Sequence, residues 1–226
     1  MLFFLGQDFD LAVFIAFILI ACLAFAYHEF GHALVADRLG DMTPRQNGRI
    51  TLNPIPHLSL MGMIMLILIG FGWAVTPINP NALRGNPRTS HAIVALAGPA
   101  GNLIMAIFFA IPLRLLGMGV ITMPALLEMG LPEAWADWIT TLLVIGVRLN
   151  LFLIAFNLLP IPPLDGFWVL RGVVPLDLAY RLDSLRPYGM LIFLLVLFLL
   201  PQVGLNIFPL IDNFTSAVFS FLVGRF

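Results

Sequence analysis

The segment AFAYHEFGHALVA, residues 24–36, places two histidines and a glutamate inside an otherwise apolar run. Positions i and i+4 share one face of a helix, a turn apart, so the imidazoles of His28 and His32 can grip a single ion. Glu29 follows the first of them and can approach that ion without binding it. This is the H-E-x-x-H spacing, in which zinc acidifies a water molecule and the glutamate takes its proton during attack on a carbonyl. The apolar setting sharpens the motif, because an ionisable group deep in lipid costs about 2.5–3.5 kcal/mol on insertion scales and persists where function or pairing compensates. The plainer alternative is a polar helix end, with both histidines near the membrane surface.

A catalytic zinc takes three protein ligands and leaves its fourth position open, so the chain must supply one more. His57 and His91 flank apolar runs, while Asp37 and Asp41 follow too closely to return to the same helix face. Asp165 lies in NLLPIPPLDG, where an asparagine ends an apolar stretch and three prolines forbid its continuation as a helix. Such a turn is rigid and presents a carboxylate at a set depth.

The elements that must position these groups are membrane helices. Of 226 residues, 61% are hydrophobic and 10% charged, and mean hydropathy is +1.02, outside the range of water-soluble globular chains. The basic residues are all arginine and the net charge is −1, which carries no nucleic-acid signal. A single cysteine, Cys22, excludes a disulfide framework within the chain and reads as a small packing residue. The N-terminus has no basic region or cleavage site, and its first charges are Asp8 and Asp10, so the first apolar segment is expected to stay in the protein. Apolar stretches near 10–38, 91–115, 138–158, 187–201 and 205–223 are read as spans, with the fourth starting near Ser184 and ending at Pro201. The run 58–76 is ambiguous. The expected architecture is an all-α polytopic membrane protein of five to six transmembrane helices in a single domain, residues 1–226. RITLNP, 49–54, alternates enough for a short β element near the site.

At this point the chain resembles the site-2 protease family of intramembrane zinc metalloproteases. Three matches carry the resemblance: His28-Glu29-Phe30-Gly31-His32, the G-x-x-x-N of Gly98 to Asn102, and Asn157-x-x-Pro160-x-x-x-x-Asp165-Gly166. Together they stretch over about three quarters of the chain, in the order that family uses. FGWAVTPINP also looks like the small members without an attached PDZ or CBS domain. The resemblance implies one zinc per chain held by His28, His32 and Asp165, Glu29 as general base, and cleavage of transmembrane protein substrates within or at the edge of the lipid bilayer. It further implies that Asn102 and Asn157 hold substrate backbone, or that Asn102 holds the oxyanion. The residues themselves leave both asparagines open to plainer readings: an inter-helix hydrogen bond for either, and orientation of Asp165 for Asn157. NPIPHLSL departs from the family in lacking an acidic residue soon after His57, which leaves that histidine without an assigned catalytic task.

Charge placement tests the site. Arg38, Arg45 and Arg49 follow the helix carrying His28 and His32, so that end is expected to be cytoplasmic. Asp165 must reach the same depth, which makes the arginine-free loop 119–137 external and leaves nine arginines (38, 45, 49, 84, 88, 171, 181, 186 and 225) inside, against Arg114 outside. The parity holds only if 58–76 re-enters without crossing. Arg148, alone in mid-span, is expected to face the bundle interior and find an acceptor, and His91 to be interfacial. The location expected is the cell membrane of a prokaryote, with the site toward the cytoplasm. Two rivals are a metal or solute transporter, which should show paired repeats or more intramembrane ligands, and an inactive relative, which should have lost Glu29 or a ligand.

Overall fold

The computed structural model describes residues 10–224 except 123, 125–127, 129 and 131, and does not describe the side chains of 69, 133 and 134. The long helices are α1 (Leu11–Arg38), α3 (Pro87–Gly117), α4 (Glu133–Asn157) and α8 (Phe208–Val223). Between them lie α2 (Leu60–Ile69), α5 (Asp165–Val173), α6 (Leu176–Asp183) and α7 (Gly189–Leu194), which continues as a π turn and a 3-10 turn to Val203.

Two of the long helices start at a side-chain cap. Asp10 caps α1 by accepting from Ala12 N and Val13 N, and Asn86 does the same for α3 through Arg88 N and Thr89 N, with Pro87 at the first position. Both satisfy amides that an unfinished first turn leaves open. The buried face of α1 is built from small residues, Ala16, Ala21, Ala24, Ala33 and Ala36 among them. Helices in lipid associate through such close approaches. A Cβ at Gly31 would sit 2.2 Å from the Ala97 carbonyl oxygen, and one at Gly101 would sit 2.5 Å from that of Tyr27. The two backbones touch there, and α4 closes a three-helix core over Ile20, Phe109, Leu113, Val147 and Leu151.

The 58–76 run does double back. α2 ends at Gly70, whose φ of 78° is the left-handed turn that glycine adopts freely. The chain returns extended, Leu58 and Ala74 form an antiparallel bridge, and Ser59 Oγ donates to Trp73 O. Both ends of the run therefore lie at one depth, as the parity argument required. RITLNP forms no strand: its polar groups close turns, with Asn53 N bonded to Thr51 Oγ1 and Ile55 N to Asn53 Oδ1. The β pairing falls on the 58–74 bridge instead.

The C-terminal segments depart from the expected path. The fourth span starts its helix at Gly189 rather than Ser184, and Pro201 opens a final 3-10 turn that runs on to Val203 instead of ending the helix. Leu176–Val203 is long and apolar enough to cross, as are α1, α3 and Trp135–Asn157. Yet Phe193 and Leu197 of α7 share one cluster with Ile207 and Ile211 at the start of α8 and with Phe156 and Leu159 at the end of α4. The two segments therefore meet beside the end of α4 that leads into the proline turn. α8 then runs to the opposite end, where Arg114 Nη1 donates to Phe221 O and Leu222 O. Among the described residues six apolar helical segments are present, in keeping with an all-α polytopic protein. Arg225, counted inside, lies outside the described residues.

Candidate metal centre

His28 and His32 lie on the face of α1 that meets α3, and both are buried. Gly98 makes room for them: a Cβ there would stand 2.4 Å from His32 Nε2 and 2.7 Å from His28 Cε1. The third group arrives from the proline turn. Gly166 abuts the end of α4 so closely that a Cβ would sit 2.2 Å from the Leu158 carbonyl oxygen, which leaves Asp165, the first residue of α5, facing the two rings.

Three ligand atoms converge. Nε2 of His28 and Nε2 of His32 are 3.1 Å apart, and Asp165 Oδ2 lies 3.1 Å from the first and 3.3 Å from the second. What they are as donors and acceptors follows from the far side of each ring. His28 Nδ1 stands 2.7 Å from Asn102 Oδ1, and His32 Nδ1 stands 2.7 Å from Val94 O. Both partners accept, so both Nδ1 atoms carry the proton, and in neutral imidazoles both Nε2 atoms offer lone pairs. The 3.1 Å approach of the two Nε2 atoms is then not a hydrogen bond. Asp165 Oδ2 is itself buried with no hydrogen-bond partner. Three lone pairs meeting at one point form a ready-made set of donors for a cation. Zinc bound at about 2.0–2.1 Å in tetrahedral geometry separates its ligands by about 3.3 Å, so the donor set fits that ion in kind and in spacing. Among the described residues this is the one cluster of three metal-binding side chains.

Asn102 holds His28 from behind. Its Oδ1 receives the His28 proton, while Nδ2 donates to Ala24 O at 3.0 Å and to Asn150 Oδ1 at 2.9 Å. Asn102 is fully buried, and with both amide protons engaged it has no donor left for a substrate oxyanion in this arrangement. Asn150, which sequence reasoning passed over, completes the chain by donating to Gly146 O. An asparagine two residues from the lone mid-span arginine was the available signal. Asn157 stands apart, its Nδ2 donating to Leu153 O within its own helix and making no hydrogen bond to Asp165.

Glu29 is buried next to the ligands. Its carbonyl accepts from Thr76 Oγ1 at 3.3 Å, which ties the extended return segment of the re-entrant hairpin to α1 at the site. Asp41 secures that segment by accepting from Thr43 N and Asn79 N, and Arg49 donates to Val75 O. His57 is fully buried and bonded to Thr51 O, with Nδ1 unpaired; it shapes its own loop. His91 is more than interfacial: its ring packs, tilted, against Trp168 with centroids 4.3 Å apart, and the Arg186 guanidinium lies 4.8 Å from the centre of the same Trp168 ring. α5 is clamped by Arg88, whose guanidinium bonds Arg171 O and Val174 O. Arg148, expected inside the bundle, is exposed and lies 4.8 Å from the centre of the Phe219 ring.

Comparison with known proteins gives the same chemistry independently. A family-wide profile described as Peptidase family M50 matches residues 15–200. Relatives carrying the name "Putative zinc metalloprotease" include YwhC of Bacillus subtilis, 37% identical over 84% of this chain and 83% of its own length. Rip2 of Mycolicibacterium smegmatis is 32% identical over 89% and 74%, and MJ0611 of Methanocaldococcus jannaschii is 30% identical over 73% of each. No solved structure matches the chain with significance. The profile covers most of the chain, including every residue of the converging cluster, and this protein is therefore an integral membrane zinc metalloprotease belonging to peptidase family M50, the site-2 protease family.

Proposed function

We propose that the protein is an intramembrane endopeptidase that hydrolyses peptide bonds in or near transmembrane segments of other proteins, with His28, His32 and Asp165 as metal ligands and Glu29 as general base. The observation that carries this reading is the meeting of three lone-pair atoms beside a buried glutamate, inside a bundle otherwise made of apolar helices. Zinc bound by these ligands supplies the Lewis acidity that makes water a nucleophile toward a peptide carbonyl near neutral pH. Glu29 takes the proton of the attacking water and passes it to the departing amine, so it needs neither to bind the metal nor to be regenerated by another group. Asn102 acts as a positioning residue, fixing the tautomer and tilt of His28. Asn157, at the end of α4 beside the proline turn, is retained as a contact for substrate.

A helical substrate hides its carbonyls in hydrogen bonds and must unwind locally to be cut. The extended segment 71–79, tied to Glu29 through Thr76, is the natural edge for an unwound peptide to pair with. The arginines 38, 45, 49, 84, 88, 171, 181 and 186 gather at the metal end of the bundle, which supports a cytoplasmic orientation in a prokaryotic cell membrane. Among the described residues no second intramembrane ligand cluster supports a transporter, and Glu29 with all three ligands is present, unlike an inactive relative. The test is Glu29→Gln in detergent or nanodiscs with a membrane-embedded substrate. Cleavage should be abolished while zinc stays near one per chain; retained cleavage removes Glu29 from the base role.

A further inference from the structure

The hydrogen bonds behind His28 reach a third helix. Asn150 on α4 is fully buried, with Nδ2 donating to Gly146 O at 2.8 Å and Oδ1 accepting from Asn102 Nδ2 at 2.9 Å. The contact exists because α4 lies tight against α3: a Cβ at Gly146 would sit 2.5 Å from Phe109 Cγ. Phe109 and Asn102 share a face of α3, and Gly146 and Asn150 share a face of α4, so the close approach that seats Gly146 also brings the two amides together. The direction of each bond is fixed from the ends. Gly146 O and Ala24 O are backbone carbonyls that can only accept, so Asn150 must turn Oδ1 to Asn102, and Asn102 must direct its Nδ2 protons to Ala24 O and Asn150 Oδ1. What remains for His28 Nδ1 is the Asn102 oxygen, at 2.7 Å. Turning either amide over would set its oxygen against a carbonyl oxygen.

We propose, resting on His28 as the metal ligand read above, that Asn150 is a positioning residue of the metal centre: acting only through Asn102, it holds His28 with the Nε2 lone pair toward the other two ligands. α4 then sets two of the three ligands. Asn150 supports His28, and eight residues on, about 12 Å along the helix axis, Leu158 abuts Gly166 and so places Asp165. The relay is made of neutral amides inside the bundle, so the first ligand is oriented before metal arrives and no buried group has to turn when zinc binds. Asn150 makes no hydrogen bond to a ligand itself, so its removal acts on affinity for zinc through Asn102 rather than on the chemical step. A merely structural role, joining α4 to α3, would lower Tm and leave zinc affinity where it was.

The experiment measures zinc affinity by chelator competition on full-length protein in nanodiscs, for the wild type, Asn150→Ala, Asn150→Asp, Asn102→Leu, the Asn102→Leu/Asn150→Ala double variant and His28→Ala. Neither substitution at Asn150 is larger than asparagine, so overpacking does not threaten folding. Asn150→Ala should weaken zinc binding about 10-fold, the lower end of what loss of an outer partner costs, because one Asn102 proton loses its acceptor and Ala24 O alone is left to orient the amide. Asn150→Asp should bind zinc as the wild type does even where its Tm falls, since a carboxyl accepts from Asn102 in either protonation form. The double variant should bind no more weakly than Asn102→Leu alone, because two residues acting along one path are not additive. Unchanged zinc affinity in Asn150→Ala, equal weakening by alanine and aspartate, or additive losses in the double variant would each overturn the proposal. If His28→Ala binds zinc as tightly as the wild type, the metal-centre reading itself fails; if His28→Ala loses zinc and Asn150→Ala does not, only the role of Asn150 falls.

Discussion

Replacing Asn102 with leucine separates two roles that activity alone cannot distinguish. The asparagine is fully buried and makes three hydrogen bonds, at 2.7 Å to His28 Nδ1, 3.0 Å to Ala24 O and 2.9 Å to Asn150 Oδ1. Leucine has similar volume, so packing changes little, but the His28 N–H and the Asn150 carbonyl oxygen lose their partners in a dry interior, at about 1–3 kcal/mol each. The His28 ring is then free to rotate or to change tautomer, and its Nε2 no longer faces the other two ligands by default. Loss of such an outer partner lowers metal affinity by roughly 10- to 100-fold, equivalent to about 1.4–2.7 kcal/mol. The assay is zinc affinity by chelator competition on purified protein, beside cleavage at saturating zinc. Weaker zinc binding, with cleavage largely restored by excess zinc, is the expected result. Unchanged zinc affinity with cleavage abolished would refute the reasoning and return Asn102 to the oxyanion.

Asp165→Ala removes one of the three converging ligands and should reduce zinc to well below one per chain by elemental analysis; unchanged metal content would mean that Asp165 is not a ligand. Gly98→Ala places a methyl 2.4 Å from His32 Nε2 and should lower zinc occupancy and cleavage together, whereas Gly48→Ala, with nothing within 4 Å, should cost only the strain of its φ of 67° and spare the metal. Arg88→Met releases the Arg171 and Val174 carbonyls at the end of α5 and should destabilise the folded protein by about 1–3 kcal/mol, read as a lower Tm with zinc present; an unchanged Tm would show that α5 is held by packing alone. Stripping zinc with a chelator should lower Tm reversibly, by an amount that grows with the free zinc restored, as linkage requires.

The chemistry was legible in the sequence because it is carried by local spacing and by solvent. His28, Glu29 and His32 fall on neighbouring helix positions whatever the rest of the chain does, and charged residues are so few in so apolar a chain that each reads as a feature. The proline turn before Asp165 was legible for the same reason: proline excludes helix without help from distant contacts. The re-entrant hairpin followed from requiring both ligand-bearing helices to present the metal site at one depth.

What the tertiary structure decided is pairing across distance. Asn102 and Asn150 are 48 residues apart, and only the crossing of α1, α3 and α4 turns one amide toward the His28 ring and the other toward its support. Spacing cannot tell an amide that faces substrate from one already saturated, since both lie on the same helix face. The direction of α8 and the exposure of Arg148 were likewise settled by packing: an apolar segment does not specify which neighbour it lies against until the other helices bury one of its faces.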